Sequence, residues 1–126
     1  MKVCPTHGAA CAFKVGSHDA ISTIVWYYKE PNIERDVIVR LIKPLDDGNL
    51  LILLDGGLKV ISPDGYTILH LRGQDVINQR FHHDALRLPN GNFLVLVAEE
   101  RSIFSETLGG EYDIRGDRIV EVSPAG

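Results

Sequence analysis

The chain has 126 residues, with 13 Lys and Arg against 17 Asp and Glu and a net charge of −4. That length suits one ordinary domain with a real core, and 44% apolar with 24% charged residues excludes a disordered chain. The longest apolar run, Phe93 to Ala98, is far short of the roughly 20 residues of a membrane helix, and no Lys/Arg cluster offers a grip on nucleic acid phosphates.

The first residues, Met1 to His7, hold no apolar stretch long enough for a secretion signal. Cys4 and Cys11 are close in sequence, so a bridge between them adds only local order, and two free thiols are an equal alternative. From there the chain reads as strands and turns. Helical spacing is never sustained over three turns. Ala12–Val15, Thr23–Tyr28, Asp36–Lys43, Leu50–Leu54, Leu58–Ile61, Tyr66–Leu71, His83–Leu88, Phe93–Val97 and Arg118–Val122 are short runs rich in β-branched, aromatic and aliphatic residues. Most are bounded by Gly, Pro, Asn or Asp, which supply turns. Pro63-Asp64-Gly65 and Pro89-Asn90-Gly91 place a fixed φ before residues that tolerate positive φ. Runs apolar at consecutive positions imply strands covered on both faces, as in stacked sheets.

An internal repeat organises these strands. Leu45–Leu53 aligns with Leu88–Leu96 through the shared turns Asp47-Gly48-Asn49 and Asn90-Gly91-Asn92. Ile61-Ser62-Pro63-Asp64-Gly65 aligns with Val122-Ser123-Pro124-Ala125-Gly126, so the second copy carries an insertion, residues 99–116. A spacing of roughly forty residues with four short strands is that of one propeller blade. The expected fold is therefore all-β, a partial β-propeller of about two to three blades of four antiparallel strands. Residues 1–31 would be outer strands of a preceding blade, 32–80 blade one, and 81–126 blade two without its last strand. A ring needs about four to eight blades, so the chain is expected to be a fragment, a shortened relative or a piece of an assembled ring. A two-sheet sandwich is the alternative.

Two segments are distinctive: Phe81-His82-His83-Asp84-Ala85-Leu86-Arg87-Leu88-Pro89-Asn90-Gly91-Asn92, and Gly116-Asp117-Arg118-Ile119-Val120-Glu121-Val122-Ser123-Pro124. Together they resemble the bacterial arylsulfotransferase family, over about Ile38 to Gly126. The resemblance implies a six-bladed propeller that moves a sulfuryl group from a phenolic sulfate ester to a phenol through a sulfohistidine. It implies no nucleotide sulfate donor and no cofactor. It also implies a periplasmic or secreted location, although the chain shows no signal peptide. Of the five histidines, His7, His18, His70, His82 and His83, only His82 and His83 fall in the matching segment.

These residue types suit that chemistry. Neutral imidazole is a nucleophile near pH 7, and Arg, His and Asn donors can hold sulfuryl oxygens. His83 and His82 are thus the candidate catalytic residues and Arg87 the candidate substrate-binding residue; which histidine is the nucleophile stays open. Strand alternation would put His83 on one face with Ala85 and Arg87, and His82 on the other with Leu86 and Leu88. That favours His83 as the channel-facing residue and argues against both meeting one substrate. It also weakens a metal site built from His82, His83 and Asp84, and no metal is expected. A hydrogen-bonded His-Asp corner is the structural alternative, with Asp84 orienting or capping. Arg72, Arg80 and Arg87 serve equally well as solvated or ion-paired side chains. Asp46-Asp47-Gly48-Asn49 lacks the alternating ligands of a calcium loop and reads as a turn.

The insertion holds Ile103, Phe104, Leu108 and Tyr112 and is expected to pack, over the channel or against a partner. The expected partners are a phenolic sulfate donor and a phenol acceptor, with no nucleic acid and no membrane. Exposed blade faces are expected to favour self-association, and a non-catalytic module for protein interaction or ring assembly is the competing function. The isolated chain is expected to be inactive because its ring is incomplete.

Overall fold

The computed structural model describes residues 9–15, 22–29 and 38–126. The described chain is all-β apart from one short helix, in three antiparallel sheets. The N-terminal sheet pairs β1 (Ala9–Val15) with β2 (Ser22–Lys29). The middle sheet runs β3 (Val39–Pro44), β4 (Leu50–Leu54), β5 (Gly57–Ile61) and β6 (Thr67–Arg72) in chain order. The C-terminal sheet runs β7 (Phe81–Arg87), β8 (Phe93–Ser105) and β9 (Gly110–Val122). The Cys4–Cys11 question and the residues His7 and His18 lie outside the described residues.

The repeated turns have one conformation. Leu45 N–H donates to Asn49 O at 2.8 Å, and Gly48 N–H to Leu45 O at 3.0 Å. Leu88 N–H donates to Asn92 O at 2.7 Å, and Gly91 N–H to Leu88 O at 2.9 Å. In each turn an Asx oxygen, of Asp47 or Asn90, accepts from the N–H two residues on. Gly48 and Gly91 sit at φ 84 and 87, where a side chain would be strained. The second pair of turns matches too, with Gly65 and Gly126 donating to Ser62 O and Ser123 O.

Period-two alternation gives the middle sheet two apolar faces. Leu51, Leu53, Leu58, Val60 and Leu71 pack on Phe81, Ala85, Phe93, Val95, Val97 and Val122 of the C-terminal sheet. On the opposite face Val39, Ile52, Leu54 and Ile61 meet Tyr28 and Trp26 of β2. Trp26 Nε1 also donates to Pro63 O at 2.8 Å, tying β2 to a turn of the middle sheet. The order of packing is thus the order of the chain.

Two expectations change. A helix, α1 (Gly73–Ile77), links β6 to β7. It is too short for the three-turn pattern that sequence periodicity detects. The insertion is an extension of the β8–β9 ladder, which stays in register from Phe93↔Val122 to Ser105↔Gly110. Ile103, Phe104, Leu108 and Tyr112, expected to pack, are exposed. Pairing satisfies the ribbon's backbone without a sheet beneath it.

Candidate functional site

His82 and His83 open β7, and the strand is irregular there. His82 pairs with Leu96 and Ala85 with Val95, so His83 and Asp84 form a bulge with no residue opposite them. His83 has φ 60, a left-handed backbone uncommon for a side chain with a Cβ. The bulge breaks the alternation that would separate the two imidazoles. Their ring centroids lie 4.8 Å apart, edge to face, and both line one cleft. The expectation that they diverge is corrected by that local geometry.

The cleft, of about 760 Å³, opens at one end of the middle and C-terminal sheets. Arg40 reaches it from β3, Arg80 from the segment before β7, and Arg115 from the base of the ribbon. Asp55, Glu100 and Asp117 supply the opposing charge: Asp55 lies 3.6 Å from Arg40 and 4.0 Å from Arg80, and Glu100 lies 3.8 Å from Arg115. The His82 side chain is only 22% exposed, with Nε2 3.5 Å from Asp117 Oδ1. That approach is not aligned as a hydrogen bond, and neither ring nitrogen has a hydrogen-bond partner among the described residues. Arg118 donates to Gln79 Oε1 at 2.9 Å and holds the entry to β7.

Asp84 does not hold an imidazole. Its Oδ1 accepts from Lys43 Nζ at 2.6 Å and from Ala85 N–H at 2.7 Å, which caps the bulge and ties it to β3. The Lys43 hydrogen bond, aided by the Ala85 N–H, holds the Asp84 carboxyl below its usual range against desolvation. Arg87 lies at the far end of β7 and binds Asp47 at 2.5 Å. It does not line the histidine cleft. Arg80, one of the three arginines weighed from sequence, does line it. Sequence reading missed Arg40 and Arg115, which lie far from the motif in the chain. Asp117 and Arg118 stood within the quoted Gly116-Asp117-Arg118 segment, and that was the one available signal.

The two distinctive segments therefore form one unit. Asp117 meets His82, and Glu121 accepts from Asn92 at 2.7 Å and Asn90 at 3.1 Å. These amides, Asn92 first, lower the Glu121 pKa. Chemically, the cleft offers two imidazoles and three guanidinium groups, opposed by three carboxylates, around space open to solvent. That set can hold an oxyanion and present a nitrogen nucleophile. Among the described residues no group of three His, Cys, Asp or Glu side chains converges as a metal would require.

The described chain is thus an all-β protein with an imidazole pair among charged side chains in one cleft. The family comparison narrows it. The arylsulfotransferase (ASST) family model matches residues 16–126, and the chain belongs to that family. No curated protein and no solved structure matches it.

Proposed function

We propose that the chain is an arylsulfotransferase relative whose three sheets are consecutive blades of a β-propeller, and that its histidine cleft carries sulfuryl transfer. The observation that carries this reading is the His82–His83 pair at a strained bulge, facing Arg40, Arg80 and Arg115. Arg40 and the histidines lie on the first strands of adjacent sheets, the strands that line a propeller's centre.

In this reading the His83 imidazole, exposed in the cleft, attacks the sulfur of an aryl sulfate. An N–S bond forms, the S–O bond to the aryl oxygen breaks, and the electron pair leaves with the phenolate. The guanidinium groups hold the sulfuryl oxygens, whose charge density rises in transit. His82, whose ring nitrogens are buried, packs edge to face against His83 and positions that ring. The proton on the other His83 ring nitrogen passes to the departing phenolate; a second phenol returns a proton there as its oxygen attacks the sulfur, the N–S bond breaks and the neutral imidazole is freed. Arg87, committed to Asp47, plays no part in this cleft.

The test is protein labelling by an aryl sulfate carrying radioactive sulfur. Labelling needs only the donor and this cleft, so even a chain that turns over little is expected to carry acid-labile label, absent from His83→Ala. Unlabelled wild type, or equal label in the variant, overturns the reading.

A further inference from the structure

Beyond Ala98 the β8–β9 ladder runs on alone as a two-stranded ribbon, with residues 100–104 and 111–117 exposed. β7 pairs with β8 only as far as Phe81↔Val97. From Ala98 to Ser105 that same edge of β8 has no ladder partner among the described residues. The open edge lies in line with β7 and leads directly to the histidine cleft, which Ala98 and Glu100 line. At roughly 3.3 Å per residue it takes a strand of about seven residues. Directly opposite residues share a face, so the pairs Glu100↔Arg115, Ser102↔Asp113 and Phe104↔Glu111 follow one another outward on the cleft side. Glu100 and Arg115 are 3.8 Å apart with side chains 75% and 73% exposed, so that pair is weak. Asp113 accepts from the Ser102 hydroxyl, and Phe104, 68% exposed, ends the row. Residues 99–117 hold six carboxylates against Arg101 and Arg115, a net −4 that equals the charge of the whole sequence. Such a ribbon repels a second copy of itself and attracts a basic occupant.

We propose that the ribbon is the docking strand for a polypeptide acceptor: an extended basic segment that pairs with the open edge of β8 and presents a tyrosine hydroxyl to His83. The inference rests on the sulfuryl-transfer reading above and names its acceptor. Main-chain hydrogen bonds hold such a strand, and alternate side chains select it. Running antiparallel to β8, as β7 does, the segment ends with its tyrosine beside Ala98. Its other cleft-side residues then lie two, four and six positions earlier. They meet Glu100, then Asp113, then Phe104. Lysine or arginine fits the first two places and an apolar residue the third. In the transfer the tyrosine oxygen bonds to the sulfur, the N–S bond breaks, and the hydroxyl proton goes to the other His83 ring nitrogen. A small phenol makes none of the ribbon contacts, so the ribbon sets the acceptor preference and leaves the chemistry to the cleft.

The experiment uses the full chain and a fluorescent seven-residue peptide, with phenylalanine first, lysine third and fifth, tyrosine seventh and threonine between. Anisotropy is expected to show this peptide bound about tenfold tighter than one with glutamate in place of lysine, and weakened by salt. N-methylation of its backbone amides is expected to abolish binding, because strand pairing needs them. Glu100→Lys and Phe104→Ala, both at exposed positions, are expected to weaken binding several-fold. A chain carrying the sulfur label is expected to discharge faster to the lysine peptide than to phenol at equal concentration. No binding, or equal binding of the lysine and glutamate peptides, overturns the basic occupant. Unchanged binding after N-methylation overturns the strand pairing. Doubled mass in sedimentation with no peptide bound places a second copy on the edge and overturns the proposal. A bound peptide on a chain that never takes the sulfur label removes the transfer reading and leaves the docking strand. A labelled chain that discharges to phenol and ignores the peptide does the reverse.

Discussion

Lys43 of the middle sheet donates to Asp84 of the C-terminal sheet at 2.6 Å and to Ala85 O at 3.0 Å. One ammonium group thus pins the bulge that brings His82 and His83 together. In the repeat, Lys43 stands where the second copy has Leu86, so this tie is particular to the contact between the middle and C-terminal sheets.

The pairing has a pH signature. The Asp84 pKa is lowered in the folded chain, first by Lys43. Its contribution is present above the unfolded carboxylate value, about pH 4, and is lost as pH falls through the lower folded value. Urea midpoints measured from pH 6 down to pH 2 should fall more steeply for wild type than for Lys43→Met. Equal slopes would mean that the pair does not couple to folding. The two side chains are partly exposed, so the effect is expected to be modest and to shrink in high salt.

His83 carries a positive φ, which costs an L residue roughly 1–2 kcal/mol and a β-branched one more. His83→Gly should therefore keep or raise the thermal midpoint while losing the sulfur label. His83→Val should lower the midpoint. The same midpoint in both variants would show that the bulge relaxes without cost.

Gly73 begins α1 where a Cβ would stand 2.2 Å from Gln79 O and 2.9 Å from the Phe81 ring. Gly73→Ala is expected to destabilise the fold by about 1–3 kcal/mol, as overpacking does. The displaced segment runs directly into Arg80, Phe81 and His82, so labelling should slow as well. Chemical denaturation and a labelling time course on one sample separate the two effects.

The cleft arginines come from three elements, so their losses should be graded and separable. Arg40→Gln and Arg115→Gln are each expected to slow labelling about tenfold, by removing one charged donor to the sulfuryl oxygens. Arg87→Gln should leave the labelling rate unchanged, since its partner is Asp47. A slowed Arg87→Gln with normal Arg40→Gln would move the site to the other end of β7.

Much of the architecture was legible because it is local. Leu50–Leu54 is apolar at all five positions, and the turns at Asn49 and Asn92 carry their own hydrogen-bonding side chains. Apolar residues on both faces of that strand implied two covering layers, and the middle sheet has them. The insertion was harder to read. Its strand residues have no buried face, so no hydrophobic period marks them, and only the cross-strand ladder from Ala98↔Asp117 to Ser105↔Gly110 makes them a ribbon.

The candidate site divides in the same way. The sequence singled out His82 and His83 through a family resemblance, and the His-His-Asp run before a repeated turn that carries it is local. It could not bring the two rings together, since strand alternation forbids that and only the bulge, set by Lys43 and the Ala85 amide, permits it. Nor could it choose among arginines. Arg87 is near His83 in the chain but stands at the far end of β7, opposite Phe93, whereas Arg40 and Arg115 arrive from other strands. Repeats, turns and strand faces follow from neighbouring residues, so they are written in the chain; a charged cleft depends on which strand ends the packing of sheets carries to one place.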